Sequence, residues 1–147
     1  MAGKSDYLEN KFIDWLFRGQ SYTPPATLYI GLYTTVPSAD AGTGGVEVSG
    51  GSYARASVAA SLANWAGTQA AGSTVASSGT GGQTSNNNAI TFPAPTANWG
   101  TIAGFGIFDA SSGGNMLYFG SLTTSKTVNN GDAAPAFAAG ALTVTED

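Results

Sequence analysis

The segment Thr27-Leu28-Tyr29-Ile30-Gly31-Leu32-Tyr33-Thr34-Thr35 decides the fold class of this chain. Leu28, Ile30 and Leu32 alternate with tyrosine and glycine, and a period of two is that of a β-strand with one face against a core. Residues 101–108 and 116–123 repeat this alternation on either side of a polar turn over 109–115. Two alternating runs joined by a glycine-bearing turn predict an antiparallel hairpin.

Shorter strands are predicted around these three, at residues 53–62, 89–92, 136–138 and 141–145. Seven or eight short strands separated by Gly, Asn and Ser turns, without alternating helices, are typical of an antiparallel β-sandwich or a jelly-roll-like domain. We therefore expect one domain over 1–147, with the sandwich at 27–145. Two connections within it are predicted to be loops, a turn-rich one at 37–45 and a long polar one at 66–88.

One amphipathic helix is predicted ahead of the strands, at residues 6–18. Asp6 is the predicted N-cap with Glu9 three residues later, and Gly19 supplies the stop signal. A helix of about 12 residues is marginal alone in water, so its apolar stripe must pack against its own sheet or a neighbouring subunit. The stripe consists of Leu8, Phe12, Trp15 and Leu16.

The composition excludes much of the usual chemistry of enzymes. The 147 residues include no His and no Cys, so there is no imidazole base, thiolate nucleophile, zinc knuckle or disulfide. A net charge of −4 disfavours binding to nucleic acid or to an anionic membrane surface. No apolar run reaches the roughly 18–20 residues of a membrane span, and the first residues lack the apolar region of a signal peptide. We expect synthesis in a cytoplasm and no cofactor.

Four candidate sites have simpler structural interpretations. Asp109 with its neighbouring Ser and Asn residues could ligate calcium, but these are also the residues of a tight turn. Glu47, Asp109 and Asp132 could supply a carboxylate pair for glycoside hydrolysis, although nothing in the sequence places any two together. The glycine-rich runs 42–45 and 79–82 lack the lysine of a phosphate loop. Aromatic residues that could stack on sugars are more typical of cores and interfaces: Tyr29, Tyr33, Tyr53, Trp65 and Trp99.

The 66–88 segment has almost no side chain large enough to hold a conformation by burial. Ordering a residue costs about 1–2 kcal/mol of backbone entropy, so we expect this segment to be mobile in the isolated chain and ordered against neighbouring subunits. Gly79, Asn86 and Asn87 are the candidate interface residues there, together with the helix stripe.

The order of several segments resembles that of small virion proteins of tailed bacteriophages. That group includes proteins described as tail fibre proteins and others described as capsid decoration, or cement, proteins. The resemblance implies a non-enzymatic structural protein of the virion, without catalytic or metal-binding residues. The segments that carry it are 7–11, 25–34, 47–55, 90–93, 99–102, 105–109 and 117–120.

The main expectation from this resemblance is a protein that decorates and stabilises the capsid by bridging major capsid subunits. The alternative is a tail or tail-fibre component that contacts host surface glycans. The expected partners are other virion proteins, either the major capsid protein or tail proteins, and further copies of the chain in a dimer or trimer.

Overall fold

The computed structural model describes residues 2–38 and 43–146. The predicted 37–45 loop falls partly on residues 39–42, which lie outside the described residues. The elements in chain order are β1 (Ala2–Lys4), α1 (Asp6–Phe17), β2 (Thr27–Thr35), β3 (Val46–Glu47), β4 (Ala56–Ala59), β5 (Gln83–Ser85), β6 (Ile90–Thr91), β7 (Gly100–Phe108), β8 (Met116–Val128), β9 (Ala136–Phe137) and β10 (Thr143–Thr145).

The long strands β2, β7 and β8 form the centre of the larger sheet. Its order is β1-β8-β7-β2-β3, with β4 also paired to β2, and all pairings are antiparallel. Ile30 lies opposite Ile107 and Leu32 opposite Phe105, so the apolar residues of both strands share one face. The alternation that predicted these strands therefore builds one wall of the core.

A second layer of two short ladders covers that face. The pairs β5–β10 and β6–β9 contribute Val144, Ile90 and Phe137 to the same apolar cluster as Ile30 and Ile107. Two packed antiparallel layers confirm a mainly β fold of sandwich type with one N-terminal helix. The described strands do not close into a barrel, because β1 and β3 stand at opposite edges of the larger sheet.

A column of glycines marks the other face of the larger sheet. Gly31 lies opposite Gly106, and Gly104 lies opposite Tyr33. A Cβ on Gly106 would come 2.8 Å from the Phe108 ring, and one on Gly31 would come 3.2 Å from it. The ring of Phe108 therefore lies close to the bare backbone of two adjacent strands.

The long strands were predicted well and the short ones less so. β2 has the predicted bounds, and β7 and β8 form the predicted hairpin, with β8 extended to Val128. The predicted strand over 53–62 is reduced to β4, because Tyr53 and Arg55 precede the pairing with β2. The strand β1 was not predicted at all; it pairs with the edge of β8.

The 66–88 segment is shorter as a loop than predicted, because β5 occupies residues 83–85 and pairs with β10. The remainder is organised around the side chain of Gln69, which donates to the Ser73 hydroxyl at 2.8 Å and to the Ala76 carbonyl at 3.2 Å. The same side chain accepts from the Ser78 amide at 3.3 Å. These hydrogen bonds hold the conformation of a segment that buries few large apolar side chains.

Candidate functional site

Helix α1 begins at a serine that also ties it to the sheet. The Ser5 hydroxyl accepts from the Leu8 amide at 3.3 Å and donates to the Met116 carbonyl of β8. Ser5, rather than the predicted Asp6, is therefore the N-cap, and it is buried. A serine is preferred over a carboxylate here because its hydroxyl serves as acceptor and donor at once. Gly19 follows the helix with a φ of +68°.

The apolar side chains of α1 are largely exposed. None of its residues is buried, and Trp15 and Leu16 of the predicted stripe keep 53% and 52% of their surface in solvent. Ile13 and Phe17, which lie outside the stripe, are also exposed, Phe17 to 75%. At 100° per residue these positions extend the apolar surface around more than half of the helix. The helix thus carries far more apolar surface than its own sheet covers.

A cavity of about 310 Å³ lies between α1 and the sheet, lined on the helix side by Leu8, Phe12 and Trp15. Its other wall includes Glu146, whose carboxylate pairs with the Lys4 ammonium at 2.6 Å and accepts from the Tyr118 hydroxyl. Burial, with Glu146 beside it, raises the pKa of Tyr118 above its ordinary value. The tyrosine therefore stays a neutral donor at physiological pH.

A larger cleft of about 620 Å³ adjoins this cavity, and Tyr118 and Glu146 line both. Its walls are mainly apolar, with Leu62 at 55% exposure among the lining residues. The Trp65 indole nitrogen is buried and has no hydrogen-bond partner among the described residues. The other large aliphatic lining residues are Leu28, Ile107, Leu117 and Val144.

The three candidate interface residues of the 66–88 segment occupy different environments. Gly79 is exposed and has a φ of +81°, which suits a glycine. Asn86 is 1% exposed, and its amide group donates to the Asn88 and Ala138 carbonyls and accepts from the Leu142 amide. Its side chain therefore joins the segment between β9 and β10 to the rest of the domain and is not presented to a neighbour. Asn87 is half-buried and donates weakly to the Leu62 and Ser73 carbonyls.

The Glu47 carboxylate belongs to an ion pair on the glycine face of the sheet. The Arg55 guanidinium donates to both Glu47 oxygens at 2.8 Å and to the carbonyls of Ala110 and Gly113 at 2.8 and 2.9 Å. It also lies 3.4 Å from the centre of the Phe108 ring. Burial alone would lower the pKa of Arg55, but the hydrogen bonds and charge of Glu47 outweigh it and raise that pKa. This pair holds the 109–115 turn against β3.

The other two candidate carboxylates are used in turns. Asp109 accepts from the Asn115 amide at 2.7 Å and from the Asn115 side chain at 2.8 Å, and Asp132 accepts from the Asn129 amide at 2.8 Å. Within the described ranges, no three His, Cys, Asp or Glu side chains are grouped so that they could hold a metal ion. Both Asp109 oxygens thus accept hydrogen bonds within the 109–115 turn, as the turn interpretation predicts.

Of the five candidate aromatic residues, Tyr33 and Trp99 are buried and the other three are half-buried. Tyr53 packs edge-to-face on Trp99 at 5.3 Å, and Tyr33 stacks on Phe108 at 6.4 Å between ring centres. Trp65 is the one of the five candidates that lines the large cleft. Among the described residues, no helix has the length and apolar character needed to cross a membrane.

The arrangement is suited to binding another macromolecule. It offers a convex apolar helix and, beside it, a concave apolar cleft, while the three carboxylates considered for catalysis are engaged in structural hydrogen bonds. The helix stripe was readable from the sequence. Ile13 and Phe17 also indicated an interaction surface on the helix, because these apolar residues fall outside a single core-facing stripe.

A comparison with protein families gives one match that spans nearly the whole chain. The family model described as Podophage GP4 fiber I protein gp80 matches residues 3–145. No curated protein sequence gives a match. The family match covers the helix, both layers of the sandwich and every lining residue of the cleft except Glu146.

Proposed function

We propose that this chain, which belongs to the podophage GP4 fiber I protein gp80 family, is a non-enzymatic structural component of a phage fibre. It is held in the virion by contacts with other protein chains. The family membership confirms its resemblance to small phage virion proteins. The family description favours the tail-fibre alternative over capsid decoration, for which there is no specific support.

The observation that carries this proposal is the exposed apolar surface of α1. Monomeric proteins rarely leave a contiguous apolar patch larger than a few hundred Å² in water, and larger patches mark interaction sites. Here the exposed residues include two phenylalanines and a tryptophan, the residue types enriched at interface centres. A helix of 12 residues with no buried residue gains its stability from a partner.

A non-enzymatic role is supported by the state of the carboxylates. A general acid or base must reach a substrate proton with an available oxygen. Glu47 uses both oxygens on Arg55, and Asp109 uses both on Asn115. These contacts hold turns and strands together, and they leave the groups poorly placed for proton transfer.

Contact with host surface glycans is a second candidate function. It is favoured by the 67–82 segment, which presents mostly exposed Ser, Thr and Gly residues and whose most exposed large apolar residue is Val75. Hydroxyl and amide groups of this kind can bond to sugar hydroxyls. Binding of the labelled protein to host cells, lost after periodate treatment of the cells, would support this function; binding that survives the treatment would contradict it.

The position of the protein on the particle tests the main proposal. Gold-labelled antibody against the chain should mark fibres in electron micrographs, and mass spectrometry should give few copies relative to the major capsid protein. Labelling spread over the head, with hundreds of copies per particle, would instead establish capsid decoration.

The role of α1 is tested by Leu16→Asp, which places a charge on the exposed apolar surface. Because Leu16 is half exposed, we expect the variant to fold, as judged by circular dichroism, and to be lost from particles. Asn10→Asp adds the same charge at an exposed polar position of the same helix and should be incorporated normally. Normal incorporation of Leu16→Asp would contradict the proposed attachment.

A further inference from the structure

We propose that the outer face of α1 docks into a groove on a different virion protein, one with an apolar floor and with Lys or Arg side chains at one end. The outer face is defined by its exposed residues Asp6, Glu9, Ile13, Leu16 and Phe17. This inference rests on the proposed use of α1 for attachment and adds the chemistry of the surface to which the helix attaches.

The residues of the outer face form one continuous strip along the helix. They are spaced by three, four, three and one positions, so at 100° per residue all five fall within about a third of the helix circumference. The cavity between α1 and the sheet is lined instead by Leu8, Phe12 and Trp15, so the outer face is not the one that packs on the domain. Helices that bind a groove carry their contact residues at this same spacing.

The outer face is divided into an acidic end and an apolar end. Asp6 and Glu9 lie in the first turn. Ile13, Leu16 and Phe17 lie in the second half of the helix and keep 49%, 52% and 75% of their surfaces in solvent. With a rise of about 1.5 Å per residue, the centres of the two ends are roughly 12 Å apart. A groove that covers the apolar end along the strip therefore also meets the acidic end.

The acidic end requires a counter-charge once water is removed from it. Within the described residues, neither Asp6 nor Glu9 forms an ion pair. The three ion pairs found there are Lys4 with Glu146, Arg18 with Asp14, and Arg55 with Glu47. Carboxylates in a first turn interact favourably with the helix dipole, but this does not replace the hydration that a docked partner removes. Lys or Arg side chains of the partner supply the missing charge.

A second copy of this chain is a poor source of these cations. The chain has five Lys and Arg side chains, and three of them belong to the ion pairs just named. Lys11 lies 5.6 Å from the centre of the Tyr7 ring on α1 itself. This leaves Lys126 as one cation for two carboxylates, and two chains of net charge −4 also repel each other. A separate protein with a basic groove meets both requirements.

Binding of the full chain to particles that lack it tests the requirement for charge. The labelled chain is mixed with particles of a phage from which its gene has been deleted, and co-sedimentation gives an apparent Kd. Wild-type binding should weaken about tenfold as NaCl rises from 0.1 M to 1 M, because the screening length falls from about 10 Å to about 3 Å. At 0.1 M NaCl, Asp6→Asn/Glu9→Gln should bind about tenfold more weakly than wild type and lose most of the salt dependence, the effect expected of two partly exposed ion pairs.

Charge reversal distinguishes a basic groove from one that is only apolar. Glu9→Lys should bind more weakly than Glu9→Gln, because like charges then face each other across the contact. Asp14→Asn is the matched control, since it removes the same charge from the same helix outside the outer face and should bind like wild type. Circular dichroism should show the wild-type helix and strand content for every variant.

Three results would overturn the proposal. They are a wild-type chain that does not bind these particles, wild-type binding that is independent of salt, and binding by Glu9→Lys as tight as that of wild type. An equal loss of binding in Asp14→Asn would also overturn it, because the effect would then follow the total charge and not the outer face. The proposed function would survive these results if Leu16→Asp were still lost from particles, and it would fail separately if Leu16→Asp were incorporated normally.

Discussion

Replacement of Arg55 should destabilise the protein more than any other single change of charge. Arg55→Met would leave Glu47 without its counter-charge and the carbonyls of Ala110 and Gly113 without their donors. It would also remove the guanidinium that covers the Phe108 ring at 3.4 Å. All these partners lose their contact together, because one planar group serves them at once.

The expected magnitude follows from the burial of the pair. The Arg55 side chain is 8% exposed and that of Glu47 is 24% exposed, so the pair behaves as a buried one. Removing one partner of a buried pair typically lowers the free energy of unfolding by about 3–5 kcal/mol. With a urea slope of about 2 kcal/mol per molar, the midpoint of unfolding should fall by roughly 2 M.

Urea unfolding followed by tryptophan fluorescence measures this loss. Lys126→Met removes a charge of the same sign from an exposed position and should change the free energy by less than about 0.5 kcal/mol. The double variant Glu47→Met/Arg55→Met should be more stable than the sum of the single losses by about 1–3 kcal/mol, because it leaves no unpaired charge. A loss in Arg55→Met no larger than that of Lys126→Met would refute this account of the pair.

Three further predictions concern the interior. Asn86→Ala should lower the free energy of unfolding by about 2–3 kcal/mol, because it leaves the buried Leu142 amide without its acceptor; an unchanged urea midpoint would contradict this. Gly104→Ala should destabilise by about 1–3 kcal/mol, since its Cβ would lie 2.5 Å from Val36, whereas Gly3→Ala meets nothing nearer than 3.7 Å and should be neutral. Burial, with the charge of Glu47 nearby, raises the pKa of Tyr33 from 10.0 to about 12. Between pH 10 and pH 12 the tyrosine therefore loses its proton in the unfolded chain but keeps it in the folded protein, so the free energy of unfolding is unaffected below pH 10 and falls as the pH rises to 12. Tyr33→Phe should weaken this alkaline loss of stability, and an identical pH dependence in the variant would show that another group causes it.

The sequence predicted those strands in which large apolar side chains alternate along the chain. The segment 27–35 has the predicted bounds of β2 because Ile30 and Leu32 face the core. The strand β1 left no such signal, since its three residues become a strand only by pairing with the edge of β8. Its existence depends on contacts more than 110 residues away along the chain, which no local pattern records.

The candidate site was only partly predictable, for a related reason. The stripe on α1 was visible, but the cleft is assembled from distant segments that include Leu28, Leu62 and Val144. Asn86 was predicted as an interface residue of the polar 66–88 segment, where it stands in a run of three asparagines. Its burial follows from a hydrogen-bond arrangement with Ala138 and Leu142, which the sequence does not show.

The glycine column on the larger sheet bears on how such a chain can diversify. Gly31, Gly104 and Gly106 each lie where even a methyl group would press into a side chain or the backbone, so these sites should tolerate almost no exchange. The 67–82 segment is held instead by a few hydrogen bonds, mainly those of the Gln69 and Thr68 side chains, and presents many exposed positions. Substitutions should therefore accumulate in that segment, while the glycine positions of the sheet stay unchanged and the sheet keeps its structure.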